Sequence, residues 1–285
     1  MRILAPLSLA ATLLAASVAT AACPSPEQID RLVADWQAKR PAGPVAPGMD
    51  MADAYCAQDL FVERLKPALG EAVGYKAGLT AKPVQERFGA SEPARGVLLE
   101  KMLLKDGANV PAQFGARPVW EADMLLVVKD EGINAATTPE EAARHVAAMR
   151  PFIELPDLVV AQDVKLDAPL LTAINVGARA GVMGPETPLP PTAETVRALE
   201  TMRIVATDAG GAVLAENSGA ATLGSPLNVV LWLARNLKAS GRSLKAGDLV
   251  SVGSFSPLAP PKPGQAVTVR YEGLPGTPQV SVRFE

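Results

Sequence analysis

Three carboxylates stand in apolar sequence, where an unpaired charge is costly to bury. Glu121 and Asp123 lie two residues apart in the run 119–128, and Glu154 lies in the run 152–156. Side chains at positions i and i+2 of a strand point to the same face, so Glu121 and Asp123 should face one site. Three acids are costly to bury together unless a cation holds them. Because oxygen ligands suit Mg²⁺ or Mn²⁺ better than zinc, the sequence predicts a hard-metal site.

Lys76 is the second candidate for chemistry. It lies between Gly74 and Gly78, which would let an anionic substrate approach the ammonium with little steric obstruction. Burial would readily shift the pKa of such a lysine, although a solvated surface lysine fits the same pattern. The glycine spacing does not match a phosphate-binding loop. His145 is expected within a helix, and no catalytic role is assigned to it.

The composition excludes several classes of protein. The chain has 285 residues, of which 48% are hydrophobic and 20% are charged, as in a folded globular protein. A net charge of −3 gives no electrostatic reason to expect a nucleic-acid partner. One His and two Cys leave too few ligands for an ordinary zinc site. A catalytic triad that includes a His would depend on His145 alone.

The N-terminus has the pattern of an export signal. Arg2 precedes an apolar stretch at 4–18, and small residues suited to signal peptidase follow at 19–21. The apolar stretch is too short and too poorly flanked for a membrane span. We therefore expect a signal peptide over residues 1–21, export of the protein, and a periplasmic location.

Export gives the two cysteines two interpretations. In an oxidising compartment, Cys23 and Cys56 could form a disulfide that holds the new N-terminus to a helix. Alternatively, the residues before Cys23 partly resemble a lipoprotein signal, in which case Cys23 would carry a lipid. The sequence leaves both interpretations open.

The chain divides by character near residue 70. Residues 22–70 form a predicted helical N-terminal region, in which Ser25 and Asp50 cap two helices and Gly70 ends the second. Residues 71–285 consist of short strand-like runs, many turns and few helices. This mixture predicts an α+β fold with helices at its periphery.

Three elements of the second region have clear sequence signals. Thr138 is expected to cap a helix that continues through Arg150, and Ser225 to begin a helix through Lys238. Residues 265–272 and 279–284 alternate as a terminal pair of strands.

Several short motifs follow one another in order along the chain. They are Met51-Ala-Asp-Ala-Tyr55, Gly74-Tyr-Lys-Ala-Gly-Leu-Thr80, Gly96 with Met102, Trp120-Glu-Ala-Asp123, Glu154, Leu223-Gly224 with Pro226-Leu-Asn228, Trp232-Leu-Ala234 and Gly247-Asp248. In this order and spacing they resemble the 2-keto-4-pentenoate hydratase family, within the fumarylacetoacetate hydrolase superfamily. The resemblance extends from about residue 25 to the C-terminus.

The resemblance implies a fold and a set of ligands. The fold would be a β-rich roll of the fumarylacetoacetate hydrolase C-terminal-domain type, with peripheral helices and a helical N-terminal arm. Glu121, Asp123 and Glu154 would ligate Mg²⁺ or Mn²⁺, with Asp123 in place of a more usual Glu. A homo-oligomer is also implied.

The resemblance further implies roles for residues around the metal. Lys76 would be catalytic, either holding the substrate carboxylate or assisting proton transfer. Lys76 would bind the substrate together with Leu79, Lys82 and Asn175. The substrate would be a small 2-keto acid.

The implied activity is that of a hydro-lyase acting on a 2-hydroxydienoate or 2-keto-enoic acid. The metal would stabilise an enolate, and water would add across the C4=C5 bond. One alternative is decarboxylation of a 2-keto diacid of the 4-oxalocrotonate type. Another is an exported protein that binds a keto acid without turnover.

The chain departs from the family pattern at several polar positions. Ala94-Arg-Gly96 replaces an Asp-Phe-Gly-like sequence, which removes a candidate carboxylate for proton transfer. Arg95 adds a cation that could meet a larger or more acidic substrate. Ser225 stands where a His is common, and it can serve as a helix cap.

Overall fold

The computed structural model describes residues 23–285, so the predicted signal peptide lies outside the described residues. The α-helices are α1 (Pro26–Gln37), α2 (Met51–Leu69), α3 (Lys82–Phe88), α4 (Pro139–Arg144), α5 (Ala168–Ala173), α6 (Ala193–Thr201) and α7 (Pro226–Ala239). The strands are β1 (Ala72–Gly78), β2 (Ala94–Leu99), β3 (Leu103–Lys105), β4 (Ala108–Val110), β5 (Glu121–Val128), β6 (Val146–Leu155), β7 (Ala180–Met183), β8 (Thr187–Pro188), β9 (Arg203–Asp208), β10 (Val213–Ser218), β11 (Leu249–Ser251), β12 (Ala266–Glu272) and β13 (Gln279–Phe284).

The strands form two mixed sheets. The larger sheet has the order β2-β1-β11-β5-β6-β7-β3, with β8 paired to β6, and the smaller has the order β10-β9-β12-β13-β4. Most neighbours are antiparallel, whereas β1 with β11, β3 with β7 and β4 with β13 are parallel. Two mixed sheets with helices around them confirm the predicted α+β class.

Strand β5 separates the main hydrophobic core from the face that carries the acids. Met124 and Leu126 of β5 are fully buried in this core, together with Val269 of β12 and Leu233 of α7. Because side chains alternate along a strand, the other positions of β5 point to the opposite face of the sheet. The core therefore fixes which way the candidate ligands point.

The N-terminal helices begin and end as their sequence predicts. Ser25 Oγ accepts a hydrogen bond from the Gln28 N–H, and the Asp50 carboxylate accepts two from the first turn of α2. Gly70 is the C-cap of α2. Helix α2 packs on α1 and on α5, so the helical region within residues 23–70 shares a hydrophobic core with the segment after β6. The division into two domains stays a prediction.

Two of the later predictions are confirmed. Ser225 Oγ accepts a hydrogen bond from the Leu227 N–H and caps α7. The terminal pair of strands is present as β12 and β13, which are antiparallel neighbours.

The predicted helix from Thr138 through Arg150 is wrong beyond its first turns. Thr138 caps α4 as predicted, but α4 is short and β6 follows it at once. Pro151 disfavours helical geometry at Arg150. Residues of β6 pair along β5 and bury both faces, so tertiary pairing outweighs the local helix signal.

His145 therefore ends a helix and does not lie within one. It is the C-cap of α4, and its Nδ1 lies 2.6 Å from Asp130 Oδ1.

Cys23 and Cys56 form a disulfide that joins the start of the described chain to α2. In this form the Cys23 sulfur is not free to carry a lipid. Among residues 23–285, no helix combines the length and the apolar character that a membrane crossing needs.

We predict that reduction of the disulfide lowers the free energy of unfolding by about 2–4 kcal/mol, because an unfolded chain closed between residues 23 and 56 loses entropy that an open chain keeps. Urea denaturation with and without dithiothreitol measures the change. A Cys23→Ser/Cys56→Ser variant is the control, since dithiothreitol should not alter its midpoint. An equal midpoint for the natural chain under both conditions would contradict the expectation.

Candidate metal centre

Strands β5 and β6 bring three carboxylates together. Their antiparallel register places Glu121 directly opposite Glu154, and Asp123 lies on the same face of β5. One oxygen from each side chain lies within 4.8 Å of the others. The exposed fractions of Glu121, Asp123 and Glu154 are 8%, 0% and 1%. The structure thus unites the three predicted ligands in one group, called here the carboxylate cluster.

Lys76 reaches the carboxylate cluster from β1. Its Nζ forms an ion pair with Glu154 Oε1 and donates a hydrogen bond to the Val176 carbonyl at 3.0 Å. Gly96 of β2 is its register partner, and a Cβ at position 96 would lie 2.7 Å from Lys76 Cγ and 2.9 Å from Asn175 O. Only glycine leaves room for the lysine stem. With 3% exposure, Lys76 is a buried cation and not a solvated surface lysine.

With only the protein's own groups present, the buried charges do not balance. Burial raises the pKa of Asp123 to about 8, and the charge of Glu154 adds to that rise. Burial and the Glu154 carboxylate also raise the pKa of Glu121 well above its usual value. Burial alone would lower the pKa of Lys76, but the charges of Glu154 and Glu121 outweigh it and raise that pKa. The lysine is an ammonium, and Glu121 and Asp123 retain protons that a cation could displace.

The donor set fits a divalent metal ion. Glu154 Oε2 is buried and has no hydrogen-bond partner among the described residues, which is costly for a carboxylate oxygen. Three ionised acids against one ammonium leave two negative charges, which one divalent ion would neutralise. Oxygen-only ligands suit Mg²⁺, Ca²⁺ or Mn²⁺. Glu121, Asp123 and Glu154 are therefore able to hold such an ion.

Asp123 is held by two residues that the sequence analysis missed. Its Oδ1 accepts hydrogen bonds from the Gly253 N–H at 3.0 Å and the Met124 N–H at 2.5 Å, and its Oδ2 accepts one from the Ser251 hydroxyl. Ser251 ends β11, and Gly253 lies in the loop that follows. The only sequence signal was a serine after a short apolar strand, which is too common to identify a partner of Asp123.

A tyrosine from the smaller sheet reaches the strands that carry the ligands. The Tyr271 hydroxyl donates a hydrogen bond to the Asp123 carbonyl and accepts one from the Phe152 N–H at 3.1 Å. Burial raises the pKa of Tyr271, so the hydroxyl stays protonated. Alternation along β12 predicts that Tyr271 is buried, but it does not reveal these partners.

A strained turn presents the carbonyl that binds Lys76. Asn175, Val176 and Gly177 have φ values of 57°, 52° and 69°. This conformation is unfavourable for the β-branched Val176. The Asn175 amide holds the turn, because its Nδ2 donates to Val97 O at 2.9 Å and its Oδ1 accepts from Val97 N–H at 2.7 Å. Both polar groups of this side chain thus bind within the protein, and its contact with a substrate stays a prediction.

The other two predicted substrate-binding residues follow β1. Leu79 is buried with a φ of 57°, and Lys82 is exposed at the first position of α3. Together with Lys76 they extend from the carboxylate cluster to the surface. Their contacts with a substrate stay predictions.

The expectation that Arg95 could meet the substrate is wrong. Gly96 faces the lysine, so the preceding side chain points to the other face of the sheet. The Arg95 guanidinium donates to Asn236 Oδ1 and Ser240 Oγ, both at 2.9 Å, and lies 4.6 Å from the centre of the Tyr55 ring. It joins α2 to α7 and does not face the carboxylate cluster.

Proteins with similar sequences are hydratases. The chain is 29% identical over 246 residues to 2-keto-4-pentenoate hydratase of Paraburkholderia xenovorans, a match that covers 84% of this chain and 89% of that protein. It is 30% identical over 239 residues to 2-keto-4-pentenoate hydratase 2 of Dechloromonas aromatica, with coverages of 82% and 88%. The chain belongs to the 2-keto-4-pentenoate hydratase family. No protein-family model matches it.

Solved structures extend the family relation to the fold. The 4-oxalocrotonate decarboxylase of Pseudomonas putida G7, complexed with magnesium and adipate, has a TM-score of 0.78 and is 28% identical, covering 91% of this chain and 95% of that one. The fumarylpyruvate hydrolase of Pseudomonas aeruginosa has a TM-score of 0.55, is 17% identical and covers 74% and 88% of the two chains, so it shows a shared fold alone. This member of the hydratase family has the fold predicted from its sequence.

Metal binding is expected to strengthen as pH rises toward 8, because Asp123, with its pKa of about 8, must release a proton to the solvent. Each displaced proton makes the apparent affinity about tenfold higher per pH unit below that pKa. Calorimetric titration with Mg²⁺ at several pH values, in two buffers of different ionisation enthalpy, counts the released protons. Asp123→Asn should release fewer.

The Asp123 proton has the opposite effect on folding, because the stability of the metal-free protein falls as pH rises. The unfolded chain releases it near the usual value of 3.8, whereas the folded protein without metal retains it to about 8. The contribution of Asp123 to stability is therefore fully present below pH 3.8, and it is lost as pH rises through about 8. Equal Mg²⁺ affinity across this range would contradict the assignment of Asp123.

Proposed function

We propose that this protein is a divalent-metal-dependent hydro-lyase that adds water to a 2-hydroxydienoate or 2-keto-enoic acid. The observation that carries the proposal is the carboxylate cluster, in which three buried acids lie beside a single ammonium and offer a set of oxygen ligands suited to a divalent ion. Relatives named 2-keto-4-pentenoate hydratase align over most of the chain and support the reaction class.

In this proposal Glu121, Asp123 and Glu154 hold the metal. A bound divalent ion supplies Lewis-acid stabilisation of the negative charge that develops on the keto-acid oxygens. Because these acids are buried, an ion held by them would act in a medium of low dielectric, where its charge would be less screened than in water.

Lys76 provides the fixed positive charge beside the metal. Its ammonium has three protons, of which one is directed to Glu154 and one to the Val176 carbonyl. The third can donate to the substrate carboxylate or move during proton transfer. The strained turn and Gly96 keep the ammonium in this place.

The reaction itself is a balanced addition. From 2-hydroxypenta-2,4-dienoate, the 2-hydroxyl loses its proton and a proton adds at C3, so that C2 becomes a ketone. The water molecule supplies the other two groups, a proton at C5 and a hydroxyl at C4. The product is 4-hydroxy-2-oxopentanoate.

Decarboxylation of a 2-keto diacid is the second candidate, because the similar solved structure is a 4-oxalocrotonate decarboxylase. The position of Arg95 favours hydration. A diacid needs a cation for its second carboxylate, and Arg95 points to the other face of the sheet.

We propose Mg²⁺ or Mn²⁺ as the ion. The ligands are carboxylate oxygens, and the similar decarboxylase is complexed with magnesium in one structure and with calcium in another. The substrate is proposed to be a small 2-keto acid, and a homo-oligomer rests on family resemblance alone.

The first experiment follows the ultraviolet loss of freshly generated 2-hydroxypenta-2,4-dienoate with and without Mg²⁺ or Mn²⁺. We expect metal-dependent conversion to 4-hydroxy-2-oxopentanoate. Glu121→Ala should lower kcat by about 100-fold or more, since it removes a ligand of the ion that stabilises developing charge. Glu194→Ala is the matched control, because Glu194 is an exposed acid of α6 and should leave the rate unchanged.

Two other outcomes would contradict hydration. Release of CO₂ from a 2-keto diacid, with no hydration of the dienoate, would establish the decarboxylase. Metal-dependent binding of oxalate with no turnover of either substrate would establish a binding protein.

We also propose that the protein is exported and works in the periplasm. The apolar N-terminal stretch supports this location, and the Cys23–Cys56 disulfide suits an oxidising compartment. N-terminal sequencing of periplasmic protein should begin at Ala22. Recovery of a protein that still begins at Met1, or of one with a lipid on Cys23, would contradict this proposal.

A further inference from the structure

The three acids of the carboxylate cluster differ in how firmly the protein holds them. Asp123 accepts three hydrogen bonds, from the N–H groups of Met124 and Gly253 and from the Ser251 hydroxyl. In the described part of the chain, neither oxygen of Glu154 accepts a hydrogen bond from a backbone N–H or a hydroxyl. The fold thus holds Asp123 by three hydrogen bonds, whereas Glu154 is held by its ion pair with Lys76.

The three hydrogen bonds leave one position open on Asp123. A carboxylate offers about four lone pairs, two on each oxygen. The two N–H groups occupy those of Oδ1, and the Ser251 hydroxyl occupies one of Oδ2. Oδ2 therefore keeps one lone pair for an ion, which makes Asp123 a one-oxygen ligand.

Ser251 is a buried residue whose hydroxyl is directed at Asp123. On β11 its register partners are Lys76 on one side and Leu125 on the other, and its exposed fraction is 0%. Its hydroxyl proton is donated to Asp123. It therefore has no proton to give to a substrate.

Gly253 supports the same carboxylate independently. Its φ is +93°, and a Cβ there would lie 2.5 Å from Thr80 Oγ1 and 2.9 Å from Ala77 O. Only glycine can bring this N–H to Asp123. Two features of one short segment, a hydroxyl and a glycine N–H, thus converge on one ligand.

We propose that Ser251 is a positioning residue that orients Asp123 and thereby sets the preference of the site for Mg²⁺ over Ca²⁺. Aspartate has one carbon fewer than glutamate, so its carboxylate stays about 1.5 Å closer to its own strand. A rotated carboxylate would then miss an ion shared with Glu121 and Glu154. This inference rests on the proposed function only in that the three acids hold a divalent ion.

The test is the affinity of each ion for the protein, measured by calorimetry without substrate. Ser251→Ala should weaken Mg²⁺ binding by about 10–100-fold, as loss of a group that orients a ligand commonly does. Ca²⁺ binding should weaken less, because Ca²⁺ tolerates irregular coordination and two-oxygen carboxylates whereas Mg²⁺ demands near-ideal octahedral geometry. The ratio of Mg²⁺ to Ca²⁺ affinity should therefore fall.

Two further variants isolate the hydroxyl. Ser281→Ala removes a comparable serine–aspartate hydrogen bond, since Ser281 Oγ donates to Asp106 Oδ1 at 3.2 Å in the smaller sheet, and it should change neither affinity. Ser251→Thr keeps the hydroxyl and should keep the natural ratio. A ratio that falls equally in Ser251→Thr and Ser251→Ala would overturn the role of the hydroxyl.

The failure of this inference is separable from failure of the metal site. If the natural protein binds neither ion, the proposed metal centre itself falls, and this inference falls with it. If it binds both and Ser251→Ala binds Mg²⁺ equally well, only the positioning role falls. If Ser251→Ala weakens the binding of Mg²⁺ and Ca²⁺ equally, the positioning role also falls, because a general loss of stability would not change the ratio of the two affinities.

Discussion

The burial of three carboxylates beside a single ammonium is the interaction on which the rest of the structure depends. In a medium that solvates charge poorly, like charges so close together raise the energy of every ionised form. Lys76 offsets part of this repulsion, and the hydrogen bonds to Asp123 offset another part. The repulsion that remains favours the binding of a further positive charge between the three carboxylates. Burial of these acids therefore lowers the stability of the metal-free protein, and a bound cation would offset that loss.

The larger sheet makes this arrangement possible because one of its faces packs in the core and the other carries polar groups. One face of β5 lies in the main hydrophobic core, which fixes the strand, while the other carries the acids. Tyr271 then ties the smaller sheet to the backbone beside the ligands. On the far side, a turn with three consecutive positive φ values is held by the Asn175 amide. Core packing thus positions the acids, and the strained turn positions the carbonyl that binds Lys76.

Features that depend on neighbours in sequence were predictable. Helix caps at Ser25, Asp50 and Ser225 use local hydrogen bonds, and the shared face of Glu121 and Asp123 follows from strand alternation alone. The fold class followed from the mixture of elements and from family motifs. The caps and the shared face rest on interactions that a short window of sequence contains, whereas the fold class also drew on motifs spread along most of the chain.

Features that depend on distant partners were not predictable in the same way. The helix signal after Thr138 is real, but pairing with β5 turns most of that segment into a strand. Arg95 was expected to face a substrate because only its charge was visible, whereas its direction is set by the register of β2 on β1. Ser251 has an unremarkable sequence context, and its meaning comes from a carboxylate on another strand.

The parts of the metal centre are spread widely along the chain. The acids lie on β5 and β6, but two of the three groups that hold the Asp123 carboxylate are Ser251 and Gly253, and the tyrosine behind it is residue 271. During synthesis the acids leave the ribosome well before these partners exist. The nascent chain therefore has the ligands without the means to orient them, and a stable metal centre forms only once the C-terminal strands have paired. A message truncated before β11 would yield a chain with every predicted ligand and no completed place for the ion.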